Sequence, residues 1–133
     1  MAQPFIRPVR TVLTVVALLF ASALAAADWA QFRGPGGQGV SGDKGLPTSW
    51  GEAAGVVWKT DLPGAGASSP IILGGRIYIV SRQGRCWVLP AKPAFEVLAT
   101  NELGRVGTVN SSPAVAGGRL YIRTDKSLFC LGK

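Results

Sequence analysis

The sequence "SSPAVAGGRLYI", Ser111 to Ile122, nearly repeats "SSPIILGGRIYI", Ser68 to Ile79, which lies 43 residues earlier. Eight of the twelve positions are identical, and the other four exchange one apolar residue for another. Self-similarity at a period of about 40 to 45 residues, with about four short strands per period, is typical of β-propeller blades. The repeat therefore predicts two copies of one small antiparallel sheet.

Short apolar runs bounded by turn-forming residues supply the strands of both copies. For the first copy we predict strands at Pro70–Leu73, Arg76–Ser81, Arg85–Leu89 and Phe95–Thr100. For the second copy we predict strands at "PAVA", "RLYIRT" and "SLFCL", residues 113–116, 119–124 and 127–131. The Gly74-Gly75 and Gly117-Gly118 pairs favour tight hairpins because glycine readily adopts positive φ angles. No sustained helical period interrupts these runs, so the prediction is an all-β fold.

The second copy has only three predicted strands and needs a fourth. "GVVWKTDL", Gly55 to Leu62, is a spare strand-like run near the start of the chain, and we predict that it completes the second sheet. Within the repeats, Tyr78 and Tyr121 each stand between two aliphatic residues. Alternation along a strand places the tyrosine on one sheet face and the aliphatic pair on the other.

Residues 1–27 have the organisation of a secretory signal peptide. Arg7 and Arg10 precede "TVLTVVALLF", and the small-residue run "ASALAAA" ends at Ala27, with no further charge before Asp28. A basic region, an apolar region and an A-x-A site predict a signal helix that is cleaved after Ala27. The alternative is an uncleaved anchor, but the 17-residue apolar run is shorter than the roughly 20 residues of a membrane span. We therefore expect a periplasmic or secreted protein with no stable membrane span after cleavage.

Charge and cysteine content restrict the partners. The chain has 14 basic and 7 acidic residues, and 12 basic and 7 acidic ones follow residue 27, a net charge of +5 (12 − 7). The basic residues are spread along the sequence, which favours solvation over nucleic-acid binding. Cys86 and Cys130 each lie in an apolar run, where a free cysteine acts as a small hydrophobe. An exported protein can also form a disulfide, so both states stay open, with free thiols favoured.

No catalytic or metal-binding residue is predicted. The chain has no His and no C-x-x-C, which argues against a His-based triad and against a zinc site. Its acidic residues are isolated and do not form the clusters that Ca²⁺ prefers. "RGPGGQG", Arg33 to Gly39, lacks the Lys-Ser/Thr of a phosphate-binding loop. We interpret Ser68 and Ser111 as turn residues rather than nucleophiles, and Trp58 as a core aromatic or a remnant of a docking tryptophan.

The longer motifs resemble a known family. "DWAQFRGPGGQGVS", "VVWKTDLPGAGASSP" and "GGRIYIVSR" resemble the start of exported pyrroloquinoline-quinone-like (PQQ-like) β-propeller repeat proteins, and "SSPAVAGGRLYIRTDKSLFCLGK" resembles their C-terminal end. The resemblance implies a partial β-propeller of about two four-stranded antiparallel blades. The predicted organisation is a signal peptide at 1–27, an irregular N-terminal extension at 28–54 and two PQQ-like blades at 55–133.

The resemblance also implies a function. We expect an exported, non-catalytic module that binds a partner protein or itself through open blade edges, or a fragment of a larger propeller. Exposed apolar faces around Ile77/Ile79 and Leu120/Ile122 would favour such association. The alternative is a remnant of a PQQ-dependent quinoprotein dehydrogenase, and PQQ is expected only in that case. The adjacent cysteines of those enzymes and the D-x-x-T-G-x-x-x-W docking motif of the repeat are missing from this sequence.

Overall fold

Two antiparallel sheets form the structure, a computed structural model that describes residues 28–132. The predicted signal helix at 1–27 lies outside the described residues. The first sheet has the strand order β1-β2-β3-β4 and the second has the order β5-β6-β7. The strands are β1 (Ile71–Leu73), β2 (Arg76–Val80), β3 (Arg85–Pro90), β4 (Ala99–Glu102), β5 (Ala114–Ala116), β6 (Arg119–Arg123) and β7 (Leu128–Leu131). Within the described range, the only helical turn is Pro35–Gly37, and the seven strands do not close a ring.

The twin hairpins have nearly the same backbone. The φ angles are +54° and +70° at Gly74 and Gly75, and +55° and +71° at Gly117 and Gly118. Two successive positive φ angles match the twist of the flanking strands and favour glycine at both positions. The predicted hairpins are therefore confirmed, and they fix the register between β1 and β2 and between β5 and β6.

The prediction that Gly55 to Leu62 completes the second sheet is wrong. This segment is irregular, and among residues 28–132 no strand pairs with the outer edge of β7. The Trp58 indole N–H donates to the Lys92 carbonyl at 3.4 Å, and the Trp58 ring lies 5.3 Å from the Phe95 ring. These contacts hold the segment against the β3–β4 connection of the first sheet, away from the position it would need beside β7.

The fourth strand of the first sheet begins later than the sequence predicts. The prediction started at Phe95, whereas β4 begins at Ala99. Residues before Ala99 make loop contacts instead: Phe95 packs on Trp58, and Lys92 pairs with Glu96 at 2.9 Å. The apolar run starting at Phe95 therefore indicated a strand correctly but included part of the preceding loop.

Each sheet has two chemically different faces, as the alternation predicts. We call one the tyrosine face and the other the aliphatic face. In the first sheet, strand register places Tyr78, Val80, Cys86 and Val88 on the tyrosine face, and Ile77, Ile79, Trp87 and Leu89 on the aliphatic face. In the second sheet it places Tyr121, Arg123, Leu128 and Cys130 on the tyrosine face, and Leu120, Ile122, Phe129 and Leu131 on the aliphatic face.

The sheets stack with unlike faces in contact. Val80 and Cys86, from the tyrosine face of the first sheet, share one buried cluster with Ile122, from the aliphatic face of the second. Val106 and Val109, from the connection between the sheets, complete this cluster. Fully burying an aliphatic side chain of this size contributes about 1.5–3 kcal/mol. The interface between the two sheets is therefore the main core of the molecule.

The aliphatic faces are not the open surfaces that the sequence suggested. Ile122 is fully buried between the sheets, and Leu120 is half-buried. On the first sheet, Trp87 is buried while Ile79 is half-buried, and the irregular chain at 62–66 lies against both around a small cavity of about 60 Å³. The expectation of exposed aliphatic faces is therefore wrong, because a neighbouring sheet covers one face and the preceding segment lies on the other.

The start of the N-terminal extension ties the two sheets together. Trp29 exchanges two backbone hydrogen bonds with Ile72, at 2.7 and 3.0 Å, and Val115 N–H donates to the Ala30 carbonyl at 3.0 Å. The Trp29 ring lies so close to Gly34 that a Cβ there would sit 2.5 Å from it. The rest of the extension is largely irregular, whereas its first residues bridge β1 and β5.

Candidate functional site

The repeated serines hold the backbone at equivalent places in the two copies. Ser68 Oγ donates to the Val80 carbonyl, and Ser111 Oγ donates to the Arg123 carbonyl, both at 2.8 Å. The hydroxyl of Ser112 also accepts the Ser69 N–H at 2.9 Å, which links one copy to the other. These hydroxyl groups are engaged with the backbone, which supports their interpretation as structural turn residues.

A polar cavity of about 320 Å³ lies beside the loop that joins β6 to β7. Its lining includes Asn110, Ser111, Arg123 and Asp125. The Asp125 carboxylate accepts the Thr108 N–H at 2.8 Å, and Ser111 is bonded as described above. Loop hydrogen bonds therefore already use two of the polar side chains in this cavity.

A larger cleft, of about 530 Å³, lies between the outer ends of the two sheets. The first sheet supplies Tyr78, Val88 and Asn101 to its lining, and the second supplies Leu120 and Leu131. The first sheet has one more strand than the second, so β4 extends beyond β7 and the cleft occupies the step between them. The lining is mainly apolar on both sides.

The outer edge of β7 borders this cleft with free backbone groups. The Thr124 N–H donates to the Ser127 carbonyl at 2.8 Å, which makes these two residues a hydrogen-bonded pair across β6 and β7. Bonded and non-bonded pairs alternate along an antiparallel ladder. Leu128 and Cys130 are therefore non-bonded toward β6, and their N–H and C=O groups point to the free edge.

Positive charge accompanies this edge on the tyrosine face of the second sheet. Arg119, Arg123 and Lys126 are all exposed. Arg119 lies across Gly132, where a Cβ would sit 3.1 Å from the Arg119 Cγ. Because Gly132 directly follows β7, this contact places the start of the Arg119 side chain against the end of β7. This face therefore combines basic groups with a Leu128 side chain that is 69% exposed.

These residues were not predicted as a site, although the repeat contains a signal for them. Arg123 occupies the strand position that Val80 occupies in the first sheet, 43 residues earlier. Val80 is buried against the second sheet, whereas Arg123 is exposed. An apolar-to-basic exchange between equivalent repeat positions marks the face on which no further sheet packs within residues 28–132.

The two cysteines are free and differ in environment. Burial, assisted by the nearby Glu102 carboxylate, raises the pKa of the Cys86 thiol. Cys130 is exposed, and it raises the pKa of the Tyr121 phenol, mainly by a side-chain hydrogen bond. The structure therefore contains free thiols, the state that the sequence favoured.

This difference predicts selective thiol chemistry. We expect iodoacetamide to modify Cys130 at least about tenfold faster than Cys86 at about pH 8, because burial suppresses thiolate formation and access at Cys86. Peptide mass spectrometry of the quenched reaction gives both rates. A Cys130→Ser variant is the control, and its remaining thiol should react slowly until denaturant is added. Equal rates in the native protein would contradict the burial of Cys86.

Trp58 and the glycine-rich stretch Arg33 to Gly39 do not line the cleft between the sheets. Trp58 is half-buried against Phe95, in agreement with a packing role. Arg33 to Gly39 forms consecutive turns, with a positive φ of 64° at Arg33. In the described part of the chain, no three His, Cys, Asp or Glu side chains converge as a metal site would require. Within the same residues, no helix has the length and apolarity needed to cross a membrane.

No protein-family model matches the chain, and no curated protein matches it. The candidate site therefore rests on geometry: an unpaired strand edge, an apolar cleft beside it and a basic face above it.

Proposed function

We propose that this chain is an exported, non-catalytic repeat module of the PQQ-like β-propeller type that binds a partner protein through its open strand edges. The observation that carries the proposal is the unpaired edge of β7 beside the inter-sheet cleft. Unpaired N–H and C=O groups in a strand are a template for pairing with another chain. The basic and apolar groups around β7 add contacts for such a partner.

The stacking of the two sheets supports the propeller part of the proposal. Each sheet is an antiparallel meander, and the tyrosine face of the first packs on the aliphatic face of the second. Sheets that stack through unlike faces form a directional array, as the blades of a propeller do. The export part of the proposal rests on the signal-like sequence of residues 1–27.

Photo-crosslinking at the two open edges tests the proposal. A photoreactive amino acid is placed at Thr100 in β4, at Cys130 in β7 or at the exposed Lys44 as a control, and the protein is irradiated in the cell that produces it. We expect a discrete adduct from at least one edge position and none from Lys44. Equal labelling at all three positions, or none at either edge, would contradict partner binding through the edges.

Binding of PQQ to the purified chain tests the dehydrogenase alternative. Saturable, Ca²⁺-dependent binding of PQQ, followed by absorbance of the purified chain, would favour an enzyme remnant over a binding module. We expect no saturable binding, because the acidic side chains that would hold the ion do not converge among residues 28–132.

A further inference from the structure

We propose that β7 binds an extended segment of a partner protein as an added fourth strand, with apolar side chains entering the cleft and carboxylates meeting Arg119 and Arg123. The inference rests on the proposed function and specifies its site and partner chemistry. The segment would alternate apolar and acidic residues, because successive side chains of a strand point to opposite faces. Addition of a strand to an open edge is a general mode of peptide recognition.

The first sheet shows how such a strand would pair. There, β4 lies antiparallel to β3, with Cys86 opposite Asn101 and Val88 opposite Ala99. The equivalent residues of β7 are Leu128 and Cys130, because Cys86 pairs with Val80 and Leu128 pairs with its counterpart Arg123. Leu128 and Cys130 are also the residues whose backbone groups point outward. The edge of β7 therefore presents the donors and acceptors that β4 uses in the first sheet.

The cleft provides space on the inner side of the added strand. Side chains opposite Phe129 and Leu131 would point toward the first sheet, since those residues belong to the aliphatic face. The cleft of about 530 Å³ lies there, with Leu120, Leu131 and Val88 in its lining. Burying a carboxylate without a partner against this mainly apolar lining would be unfavourable. The inward side chains of the partner must therefore be apolar.

The outer side of the added strand has the opposite preference. Arg119, Arg123 and Lys126 are exposed there, and the one acidic side chain in the β6–β7 loop, Asp125, already accepts the Thr108 N–H. The Arg119 Cγ lies close to Gly132, the residue that follows β7. The outward positions of the added strand would lie beside Leu128 and Cys130, with Arg119 and Arg123 one strand farther on the same face. The positive charge of these arginines favours carboxylates at the outward positions and disfavours basic residues.

These features favour a single partner segment over a second copy of the chain. Pairing two β7 strands about a two-fold axis would bring Arg119 and Arg123 of both copies onto one sheet face. It would also place the second copy's first sheet in the space that β4 already borders, because β4 extends one strand beyond β7. An isolated extended segment meets neither obstacle.

Peptide binding to the full exported chain tests the inference. The probe is a fluorescein-labelled peptide of about six residues in which Leu alternates with Glu, and the reference peptide has Lys in place of Glu. We expect saturable anisotropy for the Glu peptide and at least about tenfold weaker binding for the Lys peptide. Equal binding of both peptides, or of neither, would overturn the proposal.

Two variants locate the site. Cys130→Pro removes an outward N–H that β6 does not use, so we expect a loss of at least about tenfold in affinity, whereas the matched Cys130→Ala keeps the N–H and stays within about twofold. Arg119→Glu changes only an exposed charge and should shift preference toward the Lys peptide. Circular dichroism checks that each variant is folded. If Cys130→Pro unfolds, the charge-reversal result alone decides, and unchanged preference in Arg119→Glu overturns the proposal.

The outcomes separate this inference from the broader function. Adducts from Thr100 but not from Cys130, with no peptide binding, would overturn the β7 site and leave partner binding through β4 standing. No adduct from either edge would contradict the proposed function itself. A concentration-dependent dimer that disappears in Cys130→Pro would identify a second copy as the occupant and overturn the choice of a partner segment.

Discussion

We expect Ile122→Ala to lower the free energy of unfolding by about 3–4 kcal/mol. Ile122 is fully buried in the cluster between the two sheets, where Val80, Val109 and Cys86 surround it. Truncation removes apolar contacts and leaves a cavity that neighbouring strands cannot readily close, since β6 is held by β5 and β7 on its two sides. Urea denaturation followed by tryptophan fluorescence measures the loss. A domain of this size is stable by only about 5–15 kcal/mol, so the effect is large.

The repeat supplies a matched control for this substitution. Ile79 is the residue equivalent to Ile122 in the first copy, but it is half-buried beneath the irregular chain at 62–66. We therefore expect Ile79→Ala to cost about half as much as Ile122→Ala. Equal losses at the two positions would mean that the contact between the sheets is not the main core.

We expect Gly107→Ala to destabilise the protein by about 3 kcal/mol. Gly107 has a φ of +78°, a conformation that costs a residue with a Cβ about 1 kcal/mol or more. An added Cβ would also collide with the Asp125 carboxylate, whose oxygen accepts the Thr108 N–H at 2.8 Å. Losing that hydrogen bond adds about 1–3 kcal/mol. Thermal and urea unfolding of the purified variant measure the change.

Gly104→Ala separates the two causes. Gly104 has nearly the same backbone angle, a φ of +81°, but a Cβ there would meet no atom within 4 Å. We expect this control to cost only about 1 kcal/mol, the backbone share of the effect. Equal losses of unfolding free energy in the two variants would show that the collision with Asp125 costs nothing. The hydrogen bond from Thr108 to Asp125 would then not stabilise this loop.

The repeated sequence predicted the local structure well because local chemistry determines it. The Gly74-Gly75 and Gly117-Gly118 hairpins follow from backbone freedom at glycine, and six of the seven strands coincide closely with apolar runs. Alternation also predicted the two chemically different faces of each sheet. These features need only short-range information, which each copy carries on its own.

Long-range packing was not available from the same patterns. The run Gly55 to Leu62 has strand-like composition, yet Trp58 contacts Phe95 and Lys92 and holds it against the first sheet. The bridge from Trp29 to Ile72 also joins residues that are far apart in sequence. Composition identifies residues able to form such contacts, but the choice of contact depends on which surfaces the folded sheets leave open.

The candidate site was predictable only in outline. The second copy has only three predicted strands, which leaves one sheet edge to be filled, and the open edge at β7 depends on where Gly55 to Leu62 packs. The clearest residue-level signal was the exchange of Val80 for Arg123 between equivalent repeat positions. Reading the two copies against each other for changes in polarity, rather than for identity, would have found it.

The unlike-face stacking of the two sheets has a consequence for how such a chain could grow. A tandem duplication of residues 65–107, one repeat period, would place a copy of Ile79 at the position that Ile122 occupies against the preceding sheet. The irregular segment before the first sheet would still cover the aliphatic face of that sheet. Arg123 would still be exposed on the tyrosine face of the last sheet. A chain of this architecture would therefore lengthen in steps of one whole repeat.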